Sequence, residues 1–213
     1  MSGVAAGAPR PALLPLVRRV VAHEARVLAG LARWVLRRRD DGGGSAEAFG
    51  HARDQAAMMY GMAFVCVVET VALSFLLAPW PVVHAFVLYL DVYTVLMVLG
   101  LHACSVTRPH LLTGGPDGVL RLRQSAWFDL AVPLAAIDTV GCELRAPDRS
   151  TRVDGVLDLP VGGQTSVTLR LTEPVEVTGF LGRTRRVEVV RFHADAPREL
   201  VTRVRRARSG RCG

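Results

Sequence analysis

Two apolar runs, residues 58–78 and 82–104, stand back to back with only Pro79-Trp80-Pro81 between them. Roughly 20 mostly apolar residues cross a bilayer core as a helix, and each run is about that long. So short a connection forces the second helix to return beside the first. The chain is therefore expected to be a membrane hairpin. The competing reading is a helical hairpin buried in a soluble domain. It must explain why Glu69 is the lone ionisable side chain of the first run, while His84 and Asp91 interrupt the second. The first run opens only at Met58, too far along to read as a secretory signal.

Charge placement predicts the orientation. Arginines 18, 19, 26, 33, 37, 38, 39 and 53 precede the hairpin, Arg108, Arg121 and Arg123 follow it, and the turn carries no charge. By the positive-inside rule both long ends belong in the cytoplasm and Trp80 at the outer interface. All 26 basic residues are arginine, the composition of a GC-rich coding sequence, so part of the formal +7 is coding bias. Residues 1–56 hold nine arginines against five acids, and residues 105–213 hold seventeen against twelve. Such a surplus beside a bilayer attracts anionic lipid. No nucleic-acid-binding motif or aromatic stacking platform accompanies it, so a nucleic-acid partner is not expected.

The N-terminal region divides in three. Residues 1–11, mostly Ala, Gly and Pro, read as a disordered tail. Over 12–39, Val17, Val21, Leu28, Leu31 and Val35 share one helical face opposite Arg19, Arg26, Arg33 and Arg37. A basic amphipathic helix of this kind can lie in the membrane interface, pair with a partner helix in heptad register, or pack on the cytoplasmic domain. Residues 40–56, opening with Asp40-Asp41-Gly42-Gly43-Gly44-Ser45, read as a flexible linker. Cys66, Cys104, Cys142 and Cys212 are scattered without metal-ligand spacing.

After the hairpin (57–104) the period changes to two. Gly118-Val119-Leu120-Arg121-Leu122-Arg123 and Gln164-Thr165-Ser166-Val167-Thr168-Leu169-Arg170-Leu171 alternate, and 186–192 nearly does. These are half-buried strands, with others expected at 128–132, 137–144 and 156–159. Asp195-Ala196-Pro197 reads as the cap of a closing helix. Residues 105–208 are thus expected to form about seven short antiparallel strands closed into a small barrel, plugged by a C-terminal helix, with 209–213 as a tail.

The phrases Arg108-Pro109-His110-Leu111-Leu112-Thr113, Gly118–Gln124 and Phe128-Asp129-Leu130-Ala131-Val132-Pro133-Leu134-Ala135-Ala136-Ile137 resemble the opening strands of a bacterial pleckstrin-homology-like (PH-like) domain. The whole chain resembles bacterial, actinobacterial-type integral membrane proteins that set a two-helix hairpin before such a domain. The resemblance covers roughly residues 53–205 and implies a PH-like barrel. Gln124-Ser125-Ala126-Trp127 departs from it, standing where the family has a Gly-containing hairpin. The resemblance carries no catalytic residue and no cofactor.

Four polar residues in the hairpin invite chemistry: Glu69, His84, Asp91 and His102. Glu69 precedes the turn by ten residues and Asp91 follows it by ten, which puts both about 15 Å deep, near the bilayer midplane. His84, Asp91 and His102 recur on one helical face. A charged acid there costs at least about 2.5–3.5 kcal/mol, so it must be protonated, paired or wet. Three readings stay open: a proton or cation relay, polar contacts in a homo-oligomer or with another membrane protein, or tolerated singletons. Along the axis His84 and Asp91 are about 10 Å apart, and Asp91 and His102 about 16 Å, which excludes chelation of one metal ion on this helix. Candidate contacts for anionic lipid are Arg19, Arg26, Arg33, Arg37, Arg38 and Arg39, with Arg203, Arg205, Arg206 and Arg208 at the far end. No nucleophile elbow, phosphate loop or dinucleotide fingerprint is present. The expectation is a non-enzymatic membrane-anchored interaction or scaffold protein, with a proton-coupled membrane component as the alternative and a membrane enzyme less favoured.

Overall fold

The computed structural model of the chain describes residues 13–44, 46–126, 128–147, 153–178 and 184–209. Both expected tails, Ser209 apart, lie outside these. Four helices and eight strands are described: α1 (Leu13–Val35), β1 (Glu47–Phe49), α2 (Arg53–Leu76), α3 (Pro81–Thr107), β2 (His110–Thr113), β3 (Val119–Gln124), β4 (Phe128–Pro133), β5 (Ile137–Arg145), β6 (Gly155–Leu159), β7 (Thr165–Thr178), β8 (Thr184–Phe192) and α4 (Pro197–Ser209).

The apolar runs form α2 and α3, with Pro81 as the first residue of α3, where its missing N–H costs nothing. Both helices are long and apolar enough to cross a membrane, and neither apolar window is buried by the rest of the chain. Phe64, Phe75, Val82 and Phe86 are between 63% and 82% exposed. A core hairpin of a soluble domain would hide these side chains.

The amphipathic helix α1 packs on α3. A methyl group at Gly30 would collide with the Cys104 sulfur, and one at Gly100 with Val27. The Tyr93 hydroxyl donates to Glu24 Oε1 at 2.7 Å. Glu24, Val27 and Gly30 thus face Tyr93, Gly100 and Cys104 in rising order, so α1 and α3 run in the same direction. Small residues at the crossing permit this approach. Arg37, in the left-handed region at φ 53°, ends the helix, and Gly42, Gly43 and Gly44 follow with φ between 74° and 88°. Three consecutive left-handed residues require glycine.

The linker does not stay free. Asp40 N–H bonds to the Thr107 carbonyl at 2.9 Å, and β1 pairs antiparallel with β2, Glu47 opposite Leu112 and Phe49 opposite His110. Both legs of the hairpin therefore join neighbouring strands of one sheet and leave it on the same side.

The β region is not a closed barrel. It forms two four-stranded sheets, ordered β1-β2-β3-β4 and β5-β7-β8-β6. Closure fails for two reasons. Pro133 ends the β4 ladder and a 3₁₀ turn, Leu134–Ala136, carries the chain to the second sheet. The other edge of the first sheet is occupied by β1. Seven strands follow the hairpin, as the alternation predicts, but β6 pairs with β8 in parallel. Pro174 falls within the register break of β7 against β8 between Arg170 and Val175. A shared core of Leu120, Leu122, Ile137, Val167, Leu169, Val190 and Phe192 holds the sheets together, and α4 adds Leu200, Val201 and Val204.

Candidate functional site

Among the polar candidates of the hairpin, His102 has aromatic neighbours. It is buried between Trp34 of α1 and Tyr60 of α2, with ring centroids 6.2 Å and 4.9 Å away, both edge-on. His84 and Asp91 lie further along the same face, half-buried, and His84 Nε2 and Asp91 Oδ2 are enclosed without a hydrogen-bond partner among the described residues. Glu69 is exposed on α2, and the described residues give it no ion pair or hydrogen bond. The structure does not pair it with Asp91. α1 stands beside the hairpin as a third helix, packed against α3.

The arginines divide by element. Arg19, Arg26, Arg33, Arg37, Arg38 and Arg39 are exposed on or just beyond α1. On α4, Arg203 pairs with Glu47 at 3.3 Å and Arg205 Nη2 donates to the Val140 carbonyl at 2.8 Å, so these two brace α4 against β1 and β5. Arg206 and Arg208 occupy the last turn of α4.

At the base of the hairpin, three histidines from separate segments converge. His51, just before α2, stacks on His110 of β2 with centroids 4.5 Å apart. His110 Nδ1 accepts the Arg123 N–H at 3.1 Å, so its Nε2 carries the proton and donates to the His193 carbonyl at 2.9 Å. His193 Nε2 lies 3.3 Å from Asp54 and 3.9 Å from Asp195. The carboxylate of Asp195, read in the sequence as a cap for α4, accepts the Arg53 N–H at 3.0 Å and so caps α2 across the junction. Burial, reinforced by the neighbouring histidines, pushes His51 down to about 4 and His110 to about 3, so both are neutral at neutral pH. Both ring nitrogens of His51 lack a hydrogen-bond partner among the described residues. The residue borders a cavity of about 420 Å³ with Arg39, Arg53, His102, Asp195 and Glu199. No group of three or more His, Cys, Asp or Glu among the described residues is placed to hold a metal ion.

A second polar cluster lies beside it. Asp129 of β4 receives Arg121 at 2.6 Å, Arg108 at 3.4 Å and Arg123 at 3.7 Å. Arg123 also reaches the Asp40 carboxylate at 3.5 Å and donates to its carbonyl at 2.9 Å. Arg108 Nη1 donates to the carbonyl of Ser125, whose φ of 57° makes the left-handed turn that a glycine would otherwise supply. Burial pulls the Arg108 guanidinium down, with Asp129 opposing. Sequence reasoning missed both clusters as units, since no contiguous motif marks them. No protein-family model, curated protein or solved structure matches the chain.

Proposed function

We propose that this is an integral membrane protein whose α2–α3 hairpin spans the bilayer, with a PH-like β domain and the C-terminal end in the cytoplasm, acting as a non-enzymatic interaction scaffold. α1, parallel to α3, points its first turn toward the far end of the hairpin, so the expected cytoplasmic N-terminus and interfacial α1 are not kept. The observation that carries the reading is the β1–β2 pairing. It fastens both legs of an exposed apolar hairpin to one sheet and so holds the domain at a fixed height against the membrane. Two sheets around one core, closed by α4, support the PH-like assignment of the domain. Wild-type protein should resist carbonate extraction. In a Cys212→Ser background, exposed Cys142 should react with an impermeant maleimide only after the cells are opened; labelling of intact cells would reverse the orientation. Crosslinked pull-downs should recover the same partners with wild type and with the Glu69→Gln/Asp91→Asn variant.

A second reading, a proton-coupled membrane component, is favoured by the enclosed and unpartnered atoms of His84 and Asp91. It requires Asp91→Asn to abolish a proton-dependent phenotype while leaving assembly intact.

A further inference from the structure

Arg26 and Arg33 are seven residues apart on α1, which places them on one face, with Ala29 between them keeping the wall low. Across from them stand Arg108, Asp40, Ala126 and Asp129, and together these residues line a cleft of about 320 Å³. The two aspartates are already engaged: Asp129 by Arg108, Arg121 and Arg123, and Asp40 by Arg123. No carboxylate lies within ion-pair distance of Arg26 or Arg33 among the described residues. The lining itself holds three guanidinium groups against two carboxylates, and because Arg121 and Arg123 from outside the lining also engage those carboxylates, Arg26 and Arg33 keep their charge uncompensated there.

The depth of the cleft narrows the ligand. Gly30, midway between Arg26 and Arg33, packs on Cys104, the last residue of the apolar run, and Arg108 follows the end of α3. On the membrane reading proposed above, on which this inference rests, the cleft opens where lipid phosphates lie. Guanidinium forks match phosphate oxygens two at a time, and an anion beside the partly buried Arg108 offsets the cost of holding its charge out of water.

We propose that this cleft binds the phosphate of one anionic lipid headgroup, gripped by Arg26, Arg33 and Arg108. The lipid is thereby bound as a stoichiometric ligand, beyond the diffuse attraction of a basic surface.

The test uses the full chain in nonionic detergent, titrated with phosphatidic acid, phosphatidylglycerol or phosphatidylcholine and read by native mass spectrometry. Wild type should retain one anionic lipid per chain. Arg26→Gln/Arg33→Gln should weaken that binding at least about tenfold, since it removes charge-assisted hydrogen bonds. The Arg185→Gln/Arg186→Gln pair on β8, outside the cleft lining, removes equal charge and should change it by less than about twofold. Arg26→Lys/Arg33→Lys keeps the charge without the fork and should fall between them. Arg26 and Arg33 are exposed, so all variants should melt with wild type; a pair that does not is replaced by its lysine counterpart. Equal losses in the pocket and β8 pairs, or no retained lipid in wild type, would overturn the proposal. If glycerol phosphate binds without lipid and displaces it, the phosphate belongs to a soluble molecule and the lipid assignment falls. Carbonate extraction of wild type is scored separately: release from the membrane defeats the membrane reading, whatever the cleft binds.

Discussion

The base of the hairpin and its interior treat polar side chains in opposite ways. At the base, Asp129 gathers three guanidinium groups, Asp195 caps α2 and His110 uses both ring nitrogens. Inside the hairpin, Glu69 is exposed, and Asp91 and His84 enclose atoms with no partner. Coupling between a membrane element and a folded domain needs groups that lose something when separated. By that measure the mechanical connection lies at the base, where Arg108 meets Asp129, Arg123 meets Asp40 and Asp195 meets Arg53 across long separations in the chain. Among the described residues, no ion pair or hydrogen bond holds the Glu69 side chain, His84 Nε2 or Asp91 Oδ2.

The sharpest way to break this contrast is to remove the centre of the arginine cluster. Asp129→Ala deprives Arg123, only 5% exposed, of one of the two carboxylates, and Arg108 of the one, that pair with them among the described residues. Stranding a buried charge costs about 3 kcal/mol, so thermal melting of the full chain should fall clearly while its membrane association remains. A melt unchanged from wild type would mean that Asp40 suffices and the cluster is not the joint.

Acid should loosen the same region next. His51 and His110 are held below the ordinary 6.5, so the unfolded chain takes up protons before the folded one does. Their contribution is complete above about 6.5 and is lost as pH falls toward about 4 and about 3. At pH 5 each should cost about 2 kcal/mol relative to pH 8. Melting curves across that range should show the loss, and His51→Gln should flatten its slope. The same slope in wild type and variant would show that His51 is not the sensor.

Much of the architecture was legible because it rests on local period. Twenty-residue apolar windows announce α2 and α3, and alternation announces β3, β7 and β8. The open pair of sheets was not, since closure depends on which edges meet. The strand that fills one edge, Glu47-Ala48-Phe49, is three residues long and exists only against His110–Leu112. The histidine cluster was invisible for the same reason: His51, His110 and His193 share no spacing, and only the pairing of β1 with β2 and the return of β8 bring them together. Arg26 and Arg33 were legible as a stripe, but their cleft is made by Arg108 and Asp129, which the helical pattern cannot see.

Asp195 offers a smaller effect with a clear address. Its carboxylate caps α2 through the Arg53 N–H, and loss of a cap costs about 1 kcal/mol. Asp195→Ala should therefore speed hydrogen exchange of the first-turn amides of α2 and lower the melting temperature slightly, with Asp195→Asn close to wild type. Exchange enhanced only in α4 would assign the carboxylate to the helix it precedes in sequence.

The smallest effect is expected where the sequence looks most provocative. Glu69 has no ion pair or hydrogen bond to lose among the described residues. Glutamine keeps the length and shape of the side chain. Asp91 differs in one respect, since its enclosed Oδ2 is unsatisfied; an amide there meets the same enclosure without a charge to desolvate. Glu69→Gln and Asp91→Asn, singly or together, should shift stability in lipid nanodiscs by less than about 0.5 kcal/mol, the range of substitutions that break no named contact. A loss several times larger would place an unseen partner on the hairpin, such as a second copy or another membrane helix, because no group among the described residues supplies one. The contrast between base and interior would then describe only the isolated chain, with the interior completed by assembly.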